Sequence, residues 1–224
     1  MDFVITGDGS KTIFHPTVGE HYHSKHGAVQ ESRHVFLQSG LAYYLEKRTV
    51  PIDATVTILE VGFGTGLNFL LTADYCTANH ITLHYTGIEA YPLDHAIIEK
   101  TGYQSAVEPA IWKSFSTHYQ QALLGKQSLS ARVNLAIAHQ PVLGFHTTQL
   151  YDLLYFDAFA AIHQPEMWSY ETLSHICKFL KPGGVFVTYA ITGNLKRIMK
   201  SLGFAVEKAP GAPGKREMLR AVKL

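Results

Sequence analysis

The stretch TILEVGFGTGLNFLL, residues 57–71, decides the fold. Val56–Val61 is a β-branched apolar run that reads as a strand, and Leu67–Ala78 carries a helical pattern. Between them lies Gly62-Phe63-Gly64-Thr65-Gly66. Glycines there allow a tight strand-to-helix turn and let a ligand approach the backbone beside the positive end of the helix. The spacing is GxGxG, whereas a dinucleotide fingerprint wants glycine or alanine at the position held by Leu67. The loop therefore suits a nucleoside without a pyrophosphate better than a dinucleotide, and an ordinary glycine-rich turn is the plainer alternative.

Outward from this loop, strand and helix patterns alternate. Strands are expected at Ile81–Glu89, Val133–Ala138, Tyr151–Phe156 and Val185–Ala190. Helices are expected at Asp94–Lys100, Ala106–Leu124, Glu171–Leu180 (ending at Lys-Pro-Gly-Gly) and Asn194–Leu202. Short strands near Phe204–Lys208 and Arg216–Val222 would form an antiparallel edge hairpin. Such alternation implies an α/β fold with a mostly parallel, Rossmann-like sheet covered by helices on both faces. The first 50 residues differ: FVIT and KTIFH flank the turn-forming GDGS as a hairpin, and a helical pattern over Gln30–Arg48 is broken by Gly40 and closed by Pro51. We read residues 1–50 as an appendage and lid, and 51–224 as the main domain. Glu89, 27 residues after Gly62, closes the second strand, where a carboxylate can accept both hydroxyls of a ribose; a surface acid at a strand end is the alternative.

Composition narrows the function. With 46% hydrophobic residues over 224 positions, the chain can bury a sizeable core. The N-terminus lacks the charged-then-apolar pattern of a signal peptide, and no apolar run approaches the ~20 residues of a membrane span, so a cytoplasmic protein without a membrane partner is expected. Cys76 and Cys177 have no metal spacing and read as small buried hydrophobes. His21, His23 and His26 lie in one segment, but no acid or cysteine completes a ligand set, and no metal is expected. Net charge is +1, unevenly spread: residues 190–224 carry +6 and the remainder −5. That asymmetry permits a polyanion-binding face, or a merely solvated tail.

The glycine loop and Glu89 resemble motif I and the acidic post-strand position of class I methyltransferases, and Leu180–Gly184 (LKPGG) resembles the turn before their fifth strand. The resemblance implies S-adenosylmethionine as cofactor, held by Gly62, Phe63, Gly64 and Gly66, with Glu60 facing its methionine moiety or bracing the loop. These enzymes commonly hold the adenine amino group with an Asp; here His139-Gln140 stands near that place, leaving Gln140 as the acceptor. Further blocks narrow the match: Asp8-Gly9-Ser10, Glu20–Ser24, Glu31–Phe36, Tyr155–Phe159, Pro165–Trp168 and Gly214–Leu219. In this order they resemble the methyltransferase half of the MnmC family and its stand-alone MnmD-type form. That resemblance implies N-methylation of 5-aminomethyl-(2-thio)uridine at the tRNA wobble position, with the anticodon stem-loop as partner. The fused FAD-dependent oxidase would be absent or its step performed elsewhere, so a separate enzyme would supply the aminomethyl-uridine.

The same resemblance makes Tyr22, Ser24 and Glu31 a lid over the cofactor's amino-acid end, and sets Lys215 and Arg216 beside the substrate. A primary alkylamine resembles lysine and is mostly protonated at neutral pH. Asp157, ending the apolar Leu153–Phe156 run, is our candidate for holding that amine and orienting it, ahead of taking its proton, because a carboxylate stabilises the ammonium; helix capping is its plain alternative. Phe159 or Phe63 can offer a ring face to a cation, and Trp168 can cover the site, with core packing as the alternative for each. Two rival readings stand: a class I methyltransferase or aminopropyltransferase acting on a small free amine, and a non-catalytic RNA- or nucleotide-binding module.

Overall fold

A computed structural model describes residues 2–48 and 54–224. The Pro51 break and the boundary between residues 50 and 51 lie outside the described residues.

Three short strands come first: β1 (Phe3–Ile5), β2 (Lys11–His15) and β3 (Glu20–His21), in an antiparallel sheet of order β1-β2-β3. The GDGS turn joins β1 to β2 as expected; β3 is an addition. Helical backbone then runs over residues 28–47 as α1 (Ala28–Ser32), a π-helical segment (Arg33–Ala42) and α2 (Tyr43–Lys47). Gly40 does not break it. A Cβ there would stand 3.1 Å from both Tyr155 Cε1 and Val187 Cγ2, so glycine is where the helix lies closest to the sheet. Gly40→Val should therefore overpack this contact, costing about 1–3 kcal/mol and lowering Tm by several degrees, which calorimetry would measure.

The main sheet follows: β4 (Thr55–Val61), α3 (Leu67–Ala78), β5 (Thr82–Glu89), α4 (His95–Glu99), α5 (Pro109–Ala122), β6 (Gln127–Ser128), β7 (Val133–His139), β8 (Tyr151–Phe156), α6 (Tyr170–Cys177), β9 (Leu180–Thr188), α7 (Gly193–Ser201), β10 (Phe204–Pro210) and β11 (Glu217–Lys223). Their order is β10-β11-β9-β8-β4-β5-β7-β6. The five central strands are parallel, while β11, β10 and β6 are antiparallel to their neighbours. This is the Rossmann-like sheet with its antiparallel edge hairpin. β6 is too short for sequence periodicity to reveal. LKPGG lies within β9: Leu180 already pairs with Tyr151, the next pair is Leu153 with Val185, and the residues between bulge out.

The topology places the functional end. The chain reverses direction across the sheet between β4 and β8, so the loops after these adjacent strands open a crevice at the carboxyl edge. The glycine loop follows β4, and Asp157 follows β8. Among the described residues, no helix is long and apolar enough to cross a membrane. Both cysteines are buried, which pushes each thiol up to about 12.

Candidate functional site

Backbone geometry makes the loop. Gly62 N donates to Ile88 O at 3.0 Å, Asp157 N donates to Val61 O at 2.9 Å, and a Cβ on Gly62 would stand 2.5 Å from Asp157 O. Gly62, Gly64 and Gly66 all have positive φ (83°, 51° and 77°), a conformation in which a side chain is strained. Glu89 ties the loop to β5: its Oε2 accepts from Gly64 N at 2.8 Å and its Oε1 from Tyr91 N at 3.0 Å.

The crevice opens into a cavity of about 1070 Å³, at the upper end of ligand pockets and large enough for a nucleoside cofactor with an acceptor beside it. Eleven of the expected site residues line it: Tyr22, Ser24, Glu31, Gly62, Phe63, Gly64, Glu89, Gln140, Asp157, Phe159 and Lys215. Residues nearly 200 positions apart in sequence meet there because the N-terminal sheet and the β10–β11 turn both reach over the carboxyl edge of the parallel strands. Tyr22 lies against Gly64 and edge-on to Phe159, with ring centroids 5.1 Å apart. Glu31 Oε2 accepts from Ser24 N at 3.0 Å, and its Oε1 from Lys215 Nζ at 2.5 Å. Lys215 also stands 4.1 Å over the ring of Tyr189.

Four expected site residues do not line the cavity. Glu60 is fully buried, accepting from Asn68 Nδ2 at 2.8 Å and from the Tyr85 hydroxyl at 2.9 Å, so it ties β4 to α3 and β5. Gly66 turns the corner into α3, where a Cβ would press on Phe115 at 2.8 Å. Trp168 is buried behind the site, donating through Nε1 to Phe159 O at 2.8 Å and packing on Phe156; it supports the Phe159 loop rather than covering the cavity. Arg216 is exposed to solvent outside the cavity. Phe63 touches the cavity, but its ring packs on Gly87, Phe69 and Phe115, which favours wall packing over a cation contact.

Sequence reasoning passes over two residues. Glu20 lines the cavity and accepts from Ala160 N at 2.8 Å through Oε2, tying the N-terminal sheet to the loop after β8. Asn68 donates to Asp157 Oδ2 at 2.8 Å as well as to Glu60. No periodicity could flag it inside an apolar helix. The three clustered histidines go to separate places: His21 packs on Phe14, His23 Nε2 meets Thr65 Oγ1 at 2.9 Å, and His26 lies exposed against Gly214. Burial depresses His23 to about 4, leaving a neutral imidazole between lid and loop.

Electrostatics single out Asp157. Burial pushes its carboxyl up to about 7, against the Asn68 hydrogen bond and the charge of Lys215, with Glu31 and Glu20 adding upward pressure. Among the described residues its Oδ1 has no protein hydrogen-bond partner, so one oxygen is free to meet a ligand. The acceptor set suits a cationic nucleoside: Glu89 can take ribose hydroxyls, Gln140 an exocyclic amine, and Glu31 with Asp157 positive charge.

A family model described as S-adenosyl-L-methionine-dependent methyltransferase matches residues 107–224. Two relatives, each called tRNA 5-methylaminomethyl-2-thiouridine biosynthesis bifunctional protein MnmC, are similar over most of the chain. That of Magnetococcus marinus is 31% identical over 224 residues, covering 95% of this chain and 32% of the relative. That of Methylobacillus flagellatus is 34% identical over 219 residues, covering 90% and 32%. The chain thus spans about a third of the length of these relatives. Among solved structures, MnmC2 from Aquifex aeolicus superposes with a TM-score of 0.77 at 23% identity, covering 98% of this chain and 69% of that one. DesVI from Streptomyces venezuelae gives 0.52 at 11% identity, covering 88% and 92%. These two superpositions speak to the fold alone.

Proposed function

Because the chain belongs to the S-adenosyl-L-methionine-dependent methyltransferase family, we propose that it methylates the primary amine of 5-aminomethyl-(2-thio)uridine at the tRNA wobble position. The observation that carries this reading is Asp157, a carboxylate with one free oxygen facing the same cavity as the glycine loop and Glu89. The MnmC relatives carry tRNA 5-methylaminomethyl-2-thiouridine in their names, which is why this acceptor is favoured over a small free amine.

When bound, S-adenosylmethionine supplies the electrophilic methyl; the protein holds the amine in line with it and takes charge of one proton. A lysine-like amine has a pKa near 10.4, so passing its proton to an ordinary aspartate near 3.9 costs roughly 9 kcal/mol. In the free protein Asp157 is raised to about 7, which narrows that gap to roughly 5 kcal/mol. The ammonium beside it then draws the carboxyl back down, so Asp157 orients the amine first and accepts its proton at a smaller cost than an ordinary aspartate. Tyr22, Ser24 and Glu31 close over the site from the N-terminal segment, which we infer acts as a lid on the main domain, and Lys215 holds Glu31 in place.

Partner and compartment follow the same reading: a tRNA anticodon stem-loop, a separate enzyme supplying the amine, and a cytoplasmic setting. Local structure already occupies half of the C-terminal positive charge. Lys208 pairs with Glu217, Arg220 with Glu207, Lys215 with Glu31, and Lys223 Nζ donates to Cys177 O and Leu180 O. Lys196, Arg197, Lys200 and Arg216 have no ion pair among the described residues and are the candidates for phosphate contacts.

Two measurements test this. Incubating the protein with labelled S-adenosylmethionine and tRNA bearing aminomethyl-uridine, followed by nucleoside analysis, should yield the methylaminomethyl nucleoside; label appearing only on small amines would favour the rival acceptor. Glu89→Ala should weaken cofactor binding by about 1.5–3 kcal/mol in calorimetry, since it removes a ligand acceptor and releases Gly64 N together. An unchanged Kd would remove Glu89 from the cofactor site.

A further inference from the structure

Asn68 is 3% exposed, on a helix whose neighbouring positions Leu67, Phe69, Leu70 and Leu71 are all buried and apolar. Burying an amide there is costly unless each of its groups is satisfied, and each is. The two Nδ2 hydrogens go to Glu60 Oε1 and Asp157 Oδ2, both at 2.8 Å. The Ser32 hydroxyl donates to Oδ1. That last bond fixes the amide's orientation: with Oδ1 held by a hydroxyl from α1, the NH₂ end must face the two acids. Asn68 does not line the cavity, and its link to the site runs through Asp157.

We propose that Asn68 is a positioning residue for Asp157: by engaging Oδ2 it fixes the carboxyl plane and leaves Oδ1 as the oxygen that meets the acceptor amine. The proposal rests on the reading of Asp157 as the acceptor-binding group. Burial, and then the charge of Asp157, hold Glu60 well above the ordinary carboxyl range. The ionisable groups facing Asp157 come from every side: Glu60 from β4, Tyr85 from β5, Glu20 from β3, Glu31 from α1, Lys215 from the β10–β11 turn and Tyr189 after β9. Only Asn68 hydrogen-bonds the Asp157 side chain directly among the described residues. Because that bond favours the carboxylate, losing it raises the proton affinity of Asp157.

The test is an NMR titration of the Asp157 carboxyl in the full chain, using carbon-13-labelled aspartate, with Asp157→Asn identifying the signal. Asn68→Ala should move the midpoint up by about one pH unit, and Ser32→Ala, a gentler change that only frees the amide to rotate, should move it up by less. The acid limb of kcat/KM for tRNA methylation should follow, giving a roughly fivefold deficit at pH 7 that approaches tenfold at lower pH and is recovered at about pH 9, with cofactor Kd unchanged. A midpoint unmoved in both folded variants, or an equal loss of activity at every pH, overturns the proposal. The titration needs no acceptor, so the two readings separate. A wild-type chain that fails to methylate aminomethyl-uridine tRNA sinks the acceptor reading even if the midpoint shifts; an unmoved midpoint in an active chain sinks the role of Asn68 alone.

Discussion

Asp157→Ala should lower methyl transfer to tRNA by about 100- to 10,000-fold, the range removed with a positioned proton acceptor, while cofactor Kd stays within an order of magnitude. The carboxyl is assigned to the amine, and Glu89 with the loop is assigned to the cofactor, so the two losses should separate. The pH profile sharpens the expectation. In the free wild-type protein Asp157 ionises at about 7, and only its carboxylate form attracts an ammonium. kcat/KM should therefore fall as pH drops through about 7, and in Asp157→Ala that limb should vanish. What remains in the variant is the acceptor's own ionisation, so its activity should climb towards about pH 10 as the free amine appears. Turnover near wild type at neutral pH would move the acceptor site away from β8.

Gly64→Val is the second large effect. Gly64 has a φ of +51°, and a Cβ there would stand 3.0 Å from Tyr22 Cδ1. Valine adds roughly 1–2 kcal/mol of left-handed strain and a branched side chain that must displace the lid ring or occupy the cofactor's approach. Its amide also donates to Glu89 at 2.8 Å, so the strain is transmitted to the residue we assign to the cofactor's ribose. The expected result is a loss of cofactor affinity of at least about 100-fold, near 3 kcal/mol, in a protein that stays folded with a modestly lower Tm. Calorimetric titration with S-adenosylmethionine measures it, and a wild-type Kd in the folded variant would place the cofactor elsewhere.

Where residues interact with near neighbours, the sequence was readable. Leu67–Ala78 and Tyr151–Phe156 were expected at the residues where they occur, because a glycine loop marks the start of one and the other is nearly all apolar, as befits the doubly covered strand whose six side chains are all buried. Gly40 misled because its reason lies across space: helix propensity counts glycine as a breaker, while the sheet surface at Tyr155 and Val187 requires it. Trp168 and Arg216 share blocks with true cavity residues, and a block cannot say which of its members turns inward. Asn68 is the sharpest case. Its partners lie 8, 36 and 89 residues away, so nothing local distinguishes it from a misplaced polar residue.

The sheet order has a consequence for biosynthesis. β11 follows β9 and β10 in the chain, yet it pairs with both of them, and the turn before it delivers Lys215 to Glu31. A chain emerging from the ribosome forms its glycine loop and the strand carrying Asp157 while β9 still presents an unpaired edge and the N-terminal segment has no anchor at Glu31. Chains stalled before residue 217 would expose β9 and β10 as templates for intermolecular strand pairing, and would carry a chemically equipped but unclosed cavity. This sheet thus closes late in synthesis, when β11 slots between two strands made before it.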